Sequence, residues 1–244
     1  MAHPVRLFSF GTVEYRAALR WQHETADAVR NGAGEALALL QHPPVYTLGR
    51  LARHDNVLVD AEMLRARGAS VVQSDRGGDV TFHGPGQLVC YPILSLRRRQ
   101  FGTVDYVRAL EDVMLQALRR FGLRGQRIAG RPGVWLDGAK AGAVGVRVQG
   151  GVTTHGLALN VDCDLAWFDA IVPCGLRDAR VTSMAEALGC SPGVEAVAGV
   201  LVEAFADVFD ATLVSETVRE ARLGTPPSFA KLRMSEEMLV AHGR

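Results

Sequence analysis

The chain has 244 residues, of which 48% are hydrophobic and 22% charged, with a formal net charge of +1. That is the composition of a soluble globular protein large enough for a sizeable core, and so small a net charge excludes bulk attraction to nucleic acid. No run of about twenty apolar residues is present to span a bilayer, and Met1-Ala2-His3-Pro4-Val5-Arg6 has no apolar secretion core, so a cytoplasmic protein is expected.

In chain order, Tyr15, Leu19, Ala26 and Val29 predict a helix within residues 12 to 31, stopped by Gly32. Glu35 to Leu40 predicts a buried strand closed by His42-Pro43-Pro44, and Val45 to Gly49 a second short one. Asp60 predicts the N-cap of a helix over 61 to 67, ended by Gly68. Val71 to Gln73 then leads into Arg76-Gly77-Gly78-Asp79-Val80-Thr81-Phe82-His83-Gly84-Pro85-Gly86-Gln87, and a strand from Gln87 to Leu94 leaves it. Four glycines and a proline there argue against a helix or an ordinary strand. Interleaved with Arg76, Thr81, His83 and Gln87, they read as the wall of a pocket that a ligand approaches closely, with a plain glycine-rich turn between strands as the alternative.

Arg97-Arg98-Arg99 is expected to be a solvated run, with contact to an acidic partner as the alternative. Val104, Val107, Leu110, Val113, Met114, Leu118 and Phe121 form one apolar stripe, which predicts a packing helix over 104 to 121 capped by Thr103 and stopped by Gly122. From residue 133 the period changes to two. Gly133 to Leu136, the turn Asp137-Gly138, and Ala139 to Val148 predict a hairpin, and Gln149-Gly150-Gly151 turns into a third strand over 152 to 161. Ser183 and Glu186 have capping-box spacing, and Ser191-Pro192 opens a longer helix. No repeat or linker divides the chain. One α+β domain over 1–224 is expected, with 225–244 as a peripheral C-terminal tail.

Cys90, Cys163, Cys174 and Cys190 lie far apart without Cys-x-x-Cys spacing, which fits a reducing compartment rather than a zinc site or disulfide framework. Cys90 and Cys190 are expected to be buried. Cys174 differs, because Pro173 and Gly175 present its sulfur at a turn; a thiol with a free pKa of about 8.5 needs a neighbouring cation to attack as thiolate. Of the 27 basic residues the lysines are Lys140 and Lys231, the rest arginine. Lysine, unlike arginine, can lose its proton when desolvated. On the residues alone, Cys174 and Lys140 are candidates for a nucleophile and its activator, against a small buried hydrophobe and a solvated lysine. His83 is an auxiliary polar candidate, with a purely structural role as the alternative, and Tyr46 and Gly49-Arg50 are placed near the pocket by position.

The stretch from Arg76 to Gln87 resembles the signature loop of the lipoyl(octanoyl) transferases, which usually carry tyrosine where this chain has Phe82. Those enzymes move an octanoyl group from acyl carrier protein to a lysine of lipoyl domains. The resemblance implies a single domain with a mixed, largely antiparallel sheet flanked by helices, the catalytic core of biotin and lipoate protein ligases. It further implies that Cys174 carries the acyl group as a thioester and that Lys140 lowers its pKa. It implies a substrate wall of Arg76, Gly77, Gly78, Asp79, Val80, Thr81, Phe82 and His83, with Ala143-Val144-Gly145 and Gly156-Leu157-Ala158. The donor would be octanoyl-acyl carrier protein and the acceptors lipoyl domains of 2-oxoacid dehydrogenase complexes and the glycine cleavage H protein, with no cofactor, metal, nucleic acid or membrane involved. The alternatives are an ATP-dependent lipoate or biotin ligase, which needs no nucleophilic cysteine, a non-catalytic module that binds carrier proteins, and a cysteine hydrolase. The last needs an oriented histidine, and neither His83 nor His155 has an obvious carboxylate partner in the sequence.

Overall fold

A computed structural model of the chain describes residues 3–172 and 180–216, the side chain of His54 excepted. The candidate nucleophile Cys174, Lys231 and the expected tail over 225–244 lie outside the described residues.

The elements run β1 (His3–Thr12), α1 (Tyr15–Arg30), β2 (Glu35–Gln41), β3 (Val45–Leu48), α2 (Ala61–Ala66), β4 (Ser70–Gln73), β5 (Val80–His83), β6 (Gln87–Ile93) and α3 (Leu96–Arg99). They continue as α4 (Thr103–Arg120), β7 (Gln126–Ile128), β8 (Arg131–Leu136), β9 (Ala139–Gln149), β10 (Val152–Asn160), α5 (Met184–Leu188), α6 (Val194–Phe209) and β11 (Ala211–Ser215). Among the described residues eight strands form one sheet in the order β11-β1-β2-β6-β10-β9-β8-β7, and β4-β3-β5 form a second, smaller sheet. Parallel pairing joins β11, β1 and β2, and the rest of the large sheet is antiparallel. The architecture is therefore α+β with a mixed sheet, as expected.

Strand periodicity decides which side chains enter which layer. Leu37 and Leu39 of β2, Leu88 and Cys90 of β6, and Leu157 and Leu159 of β10 pack against Leu110, Val113 and Met114 of α4 and Leu201 and Phe205 of α6. Their neighbours Ala38, Leu40, Val89, Tyr91 and Ala158 face α1 through Ala17 and Ala18. The hairpin between β8 and β9 has Asp137 at φ 46° and Gly138 at φ 77°, the conformation an Asp-Gly turn supplies.

Several expectations need correction. Two strands add to those expected: β1 lies between β11 and β2, and β11 forms the edge of the sheet. Residues Val80–His83 are a strand inside the glycine-rich stretch, paired antiparallel with β3. Gly78 at φ 85° and Gly86 at φ 83° confine the turns to its two ends. Helix α4 is capped by Gly102, with Thr103 already helical and no side-chain cap bond, and α6 starts at Val194 behind Gly193 rather than at Ser191-Pro192. Arg99 is not solvated: buried, it meets the Glu35 carboxylate at 2.6 Å and donates to the Phe209 carbonyl at 2.6 Å. Cys190 is exposed, whereas Cys90 is buried as expected.

Candidate active site

The glycine-rich loop is stitched to the protein on two sides. Arg50 N–H donates to Arg76 O at 3.0 Å and Leu51 N–H to Gly78 O at 3.1 Å, while Gly77 N–H donates to Val146 O of β9 at 2.9 Å. The Arg76 guanidinium, itself buried, donates to Thr47 O at 2.7 Å and Thr47 Oγ1 at 2.9 Å. Asp79 accepts from Val80 N–H at 2.7 Å and from the Asn56 amide. The loop is thus held rigidly against β9. The N–H groups of Gly77 and Val80 are already engaged and are not available to an oxyanion.

Between this loop and strands β9 and β10 lies a slot. It is lined by Arg76, Gly77, Gly78, Asp79, Thr81 and His83 on one side, by Ala143, Val144, Gly145, Gly156, Leu157 and Ala158 on the other, and by Tyr15, Tyr91 and His155. The loop and the two small-residue strings, far apart in sequence, are brought to one place. Val80 and Phe82, expected with them, are not among the lining residues. In β5 alternate side chains point to opposite faces, so Thr81 and His83 face the slot while Val80 and Phe82 join the core of the small sheet. The Phe82 ring stacks on Trp167 at 5.3 Å between centroids. Tyr46 belongs to the same core and donates to Trp167 O at 2.6 Å, and Gly49-Arg50 supports the loop from behind.

Thr81 and Ala143 also line a second, smaller recess together with Gln87, Lys140, Gly142, Asn160, Phe168 and Val181, so the slot leads toward Lys140. Lys140 is buried, and its Nζ lies 5.5 Å from the centre of the Trp135 ring, a cation–π distance. Gly133 makes room for it. A Cβ there would come within 3.0 Å of Lys140 Cε and 2.3 Å of Gly142 O, and its φ of +110° also favours glycine. Gly133 is held in turn, its N–H donating to the buried Glu111 carboxylate at 2.9 Å. The backbone of Lys140 pairs with the chain that follows the Cys174 segment: its N–H donates to Arg180 O at 2.7 Å, and its carbonyl accepts from Thr182 N–H at 2.9 Å.

Away from Lys140, the slot is backed by a cluster of polar rings. His42 Nδ1 donates to Val13 O at 2.6 Å and its Nε2 accepts from the Tyr91 hydroxyl at 2.8 Å; Tyr15 Oη and Ser74 Oγ lie 2.7 Å apart. Burial disfavours the charged imidazolium, lowering the His42 pKa to about 4 and that of His83 well below its ordinary value. Burial likewise lowers His155. His155 does have a carboxylate partner, contrary to the sequence expectation: its Nε2 donates to Asp75 at 2.7 Å. Asp75 also meets Arg147, and His23 at 3.1 Å. The hydrogen bond from His155, more than any other influence, holds the Asp75 carboxyl well below the usual range. These partners are 80 residues apart, so nothing local in the sequence links them. Of the pair, His155 lines the slot and Asp75 does not, and neither lines the Lys140 recess.

A family profile described as the lipoyl protein ligase A/B catalytic domain matches residues 14–206. An octanoyltransferase of Chloroflexus aurantiacus is 49% identical over 203 residues, covering 82% of this chain and 91% of its own. One from Mycobacterium tuberculosis is 46% identical over 206 residues, covering 83% and 86%. Among solved structures, lipoate-protein ligase A bound with ATP superposes with a TM-score of 0.75 at 16% identity, covering 90% of this chain and 91% of that one. A bipartite lipoate protein ligase from Thermoplasma acidophilum, solved in a study of that ligase and its E2 lipoyl domain, gives 0.73 at 17% identity, covering 91% and 89%. The two structural likenesses establish the shared fold.

Proposed function

The chain belongs to the lipoyl protein ligase A/B catalytic domain family, and we propose that it moves an octanoyl group from octanoyl-acyl carrier protein to a lysine of lipoyl domains through a thioester on Cys174. The acceptors are the lipoyl domains of 2-oxoacid dehydrogenase complexes and the glycine cleavage H protein. The observation that carries this reading is a slot walled by small residues that leads to a buried lysine. A saturated eight-carbon chain needs a narrow apolar channel where backbone comes close, and alanine and glycine provide it. Val172 and Arg180, the described residues on either side of the Cys174 segment, line one cavity beside Ala139 and Thr182, which supports a nucleophile near Lys140.

The chemistry balances with two protein groups. Lys140 takes the proton of Cys174, and the thiolate attacks the donor's thioester carbonyl. The carbon–sulfur bond to the carrier breaks, and the departing thiolate recovers the proton from Lys140. The acceptor amine then attacks the acyl-enzyme, neutral Lys140 takes its proton, an amide forms, and Cys174 leaves as thiolate. Exchange of one thioester for another is nearly thermoneutral, and formation of the amide drives the second half.

A lipoate ligase shares the fold and activates its acyl group with ATP; the cysteine in Pro173-Cys174-Gly175 has no task in such a reaction. The test is transfer from octanoyl-acyl carrier protein to an unmodified lipoyl domain with no nucleotide present. Full transfer without ATP is expected, with Cys174→Ser inactive. A requirement for ATP, or an active serine variant, contradicts the proposal.

A further inference from the structure

From the Lys140 recess a chain of buried amides runs to His83, and its direction is fixed. Asn160, at the end of β10, donates from Nδ2 to Thr182 O at 2.9 Å. A carbonyl only accepts, so Asn160 must turn its Oδ1 away, where it accepts from Gln87 Nε2 at 2.9 Å. Gln87 Nε2 also reaches Phe82 O at 3.3 Å, which leaves Gln87 Oε1 facing His83 Nδ1 at 2.6 Å. An amide oxygen carries no hydrogen, so His83 Nδ1 must carry one. The neutral ring is thereby held as the Nδ1–H tautomer with its lone pair on Nε2. Reversing any link would set donor against donor or oxygen against oxygen in a buried place.

The other end of this relay is tied to the reactive lysine. Thr182, whose carbonyl anchors Asn160, donates its N–H to Lys140 O, and Lys140 forms a parallel bridge with Val181. Gln87, Asn160, Lys140 and Val181 line the same recess. Resting on the acyl-transfer reading above, we infer that Gln87 and Asn160 are positioning residues of that reaction: one directional amide relay sets the tautomer of His83 on the slot wall and holds Lys140 in register with residues 180–182. Neither amide needs to touch the acyl group. Their effect passes through the two residues they orient.

The rival account is that these amides merely satisfy one another in the core; of two measurements, the first tests whether the relay exists and the second separates the accounts. The first uses the wild-type protein: long-range nitrogen-15 NMR of the histidine rings at neutral pH, with His83 assigned by its absence in His83→Gln. The relay predicts the Nδ1–H tautomer, and an Nε2–H tautomer overturns it. The second compares Asn160→Asp and Gln87→Glu with wild type, each nearly isosteric. In Asn160→Asp the new carboxylate would present oxygen to the Thr182 carbonyl. In Gln87→Glu the new carboxylate would still accept from His83 but, lacking the donor, would force Asn160 to turn its amide away from Thr182.

Each variant is expected to lose about 100-fold in kcat, the scale of a misplaced catalytic group, while KM for octanoyl-acyl carrier protein stays within about threefold. In Gln87→Glu the added charge should also draw a proton onto His83, seen as the imidazolium nitrogen shift at a pH where wild type is neutral. A kcat within about threefold of wild type in Asn160→Asp, measured on folded protein, overturns the inference. Should wild type itself transfer no octanoyl group, the functional reading fails, and the tautomer still decides whether the relay exists.

Discussion

The two faces of the large sheet are drawn from the same strands yet differ in what they carry. On β6, Leu88 and Cys90 point into the apolar layer under α4 and α6, whereas Val89 and Tyr91 point toward α1, where Tyr91 reaches His42 and lines the slot. On β10, Leu157 and Leu159 enter the first layer, and Asn160 enters the polar relay. On β6 the alternation of the strand therefore separates packing from the polar side residue by residue, whereas on β10 Leu157 serves both, packing under α4 and lining the slot. A side chain's neighbours in sequence say little about which of the two it serves.

That contrast can be broken from either side. On the reactive side, Lys140→Ala should lower octanoyl transfer by about a thousandfold, within the range of a lost acid–base group, without lowering the melting temperature. Steady-state transfer rates and thermal melts on the same preparation check it. On the packing side, Leu110→Ala should cost about 2–5 kcal/mol of stability, since the helix-buried leucine leaves a cavity. Denaturant midpoints measure that cost, while kcat below the unfolding transition should be unchanged. A large kcat loss from Leu110→Ala would show that the faces are not separate.

A smaller effect concerns the polar cluster itself. His42 titrates at about 4 in the fold against an ordinary value of 6.5, and His83 and His155 are shifted the same way. Above pH 6.5 both folded and unfolded chains hold His42 neutral. As the pH falls from 6.5 toward 4 the unfolded chain takes the proton first, so stability is lost, by about 3 kcal/mol for His42 alone. Urea midpoints across this window should fall with pH, and His42→Gln should flatten the slope. The smallest effect is at the thiols. Exposed Cys190 should react fastest among the described cysteines with a disulfide reagent, while Cys163, pushed up by burial to about 12, and Cys90, raised further, should stay unreactive in the native protein. Cys190→Ser should remove that rapid phase and leave transfer within about twofold, as surface changes generally do.

Much of the fold was legible because local rules governed it. The apolar stripe of α4, the Asp137-Gly138 turn and the Asp60 cap each follow from residues a few positions apart, and the slot's small residues are legible through the family resemblance alone. What escaped depended on distant partners. Arg99 looks solvated until Glu35 arrives from 64 residues away. Asp75 cannot be matched to His155 without the β9–β10 register, and β1 gains its strand identity from pairing with β2 and β11. The parity of β5 was hidden by the surrounding glycines, so Phe82 was placed on the slot when it belongs to the small core. Gly133 opens a predicted strand; its role as the space beside Lys140 follows from the pairing of the hairpin.

The most direct test of the acyl-enzyme is intact-protein mass analysis after brief incubation with octanoyl-acyl carrier protein and no acceptor. Wild type should gain one octanoyl group, removed by neutral hydroxylamine and mapped to Cys174, and Cys174→Ser should gain no hydroxylamine-labile adduct. Octanoyl found on another residue, or efficient transfer with no thioester on Cys174 at any time, would contradict the account.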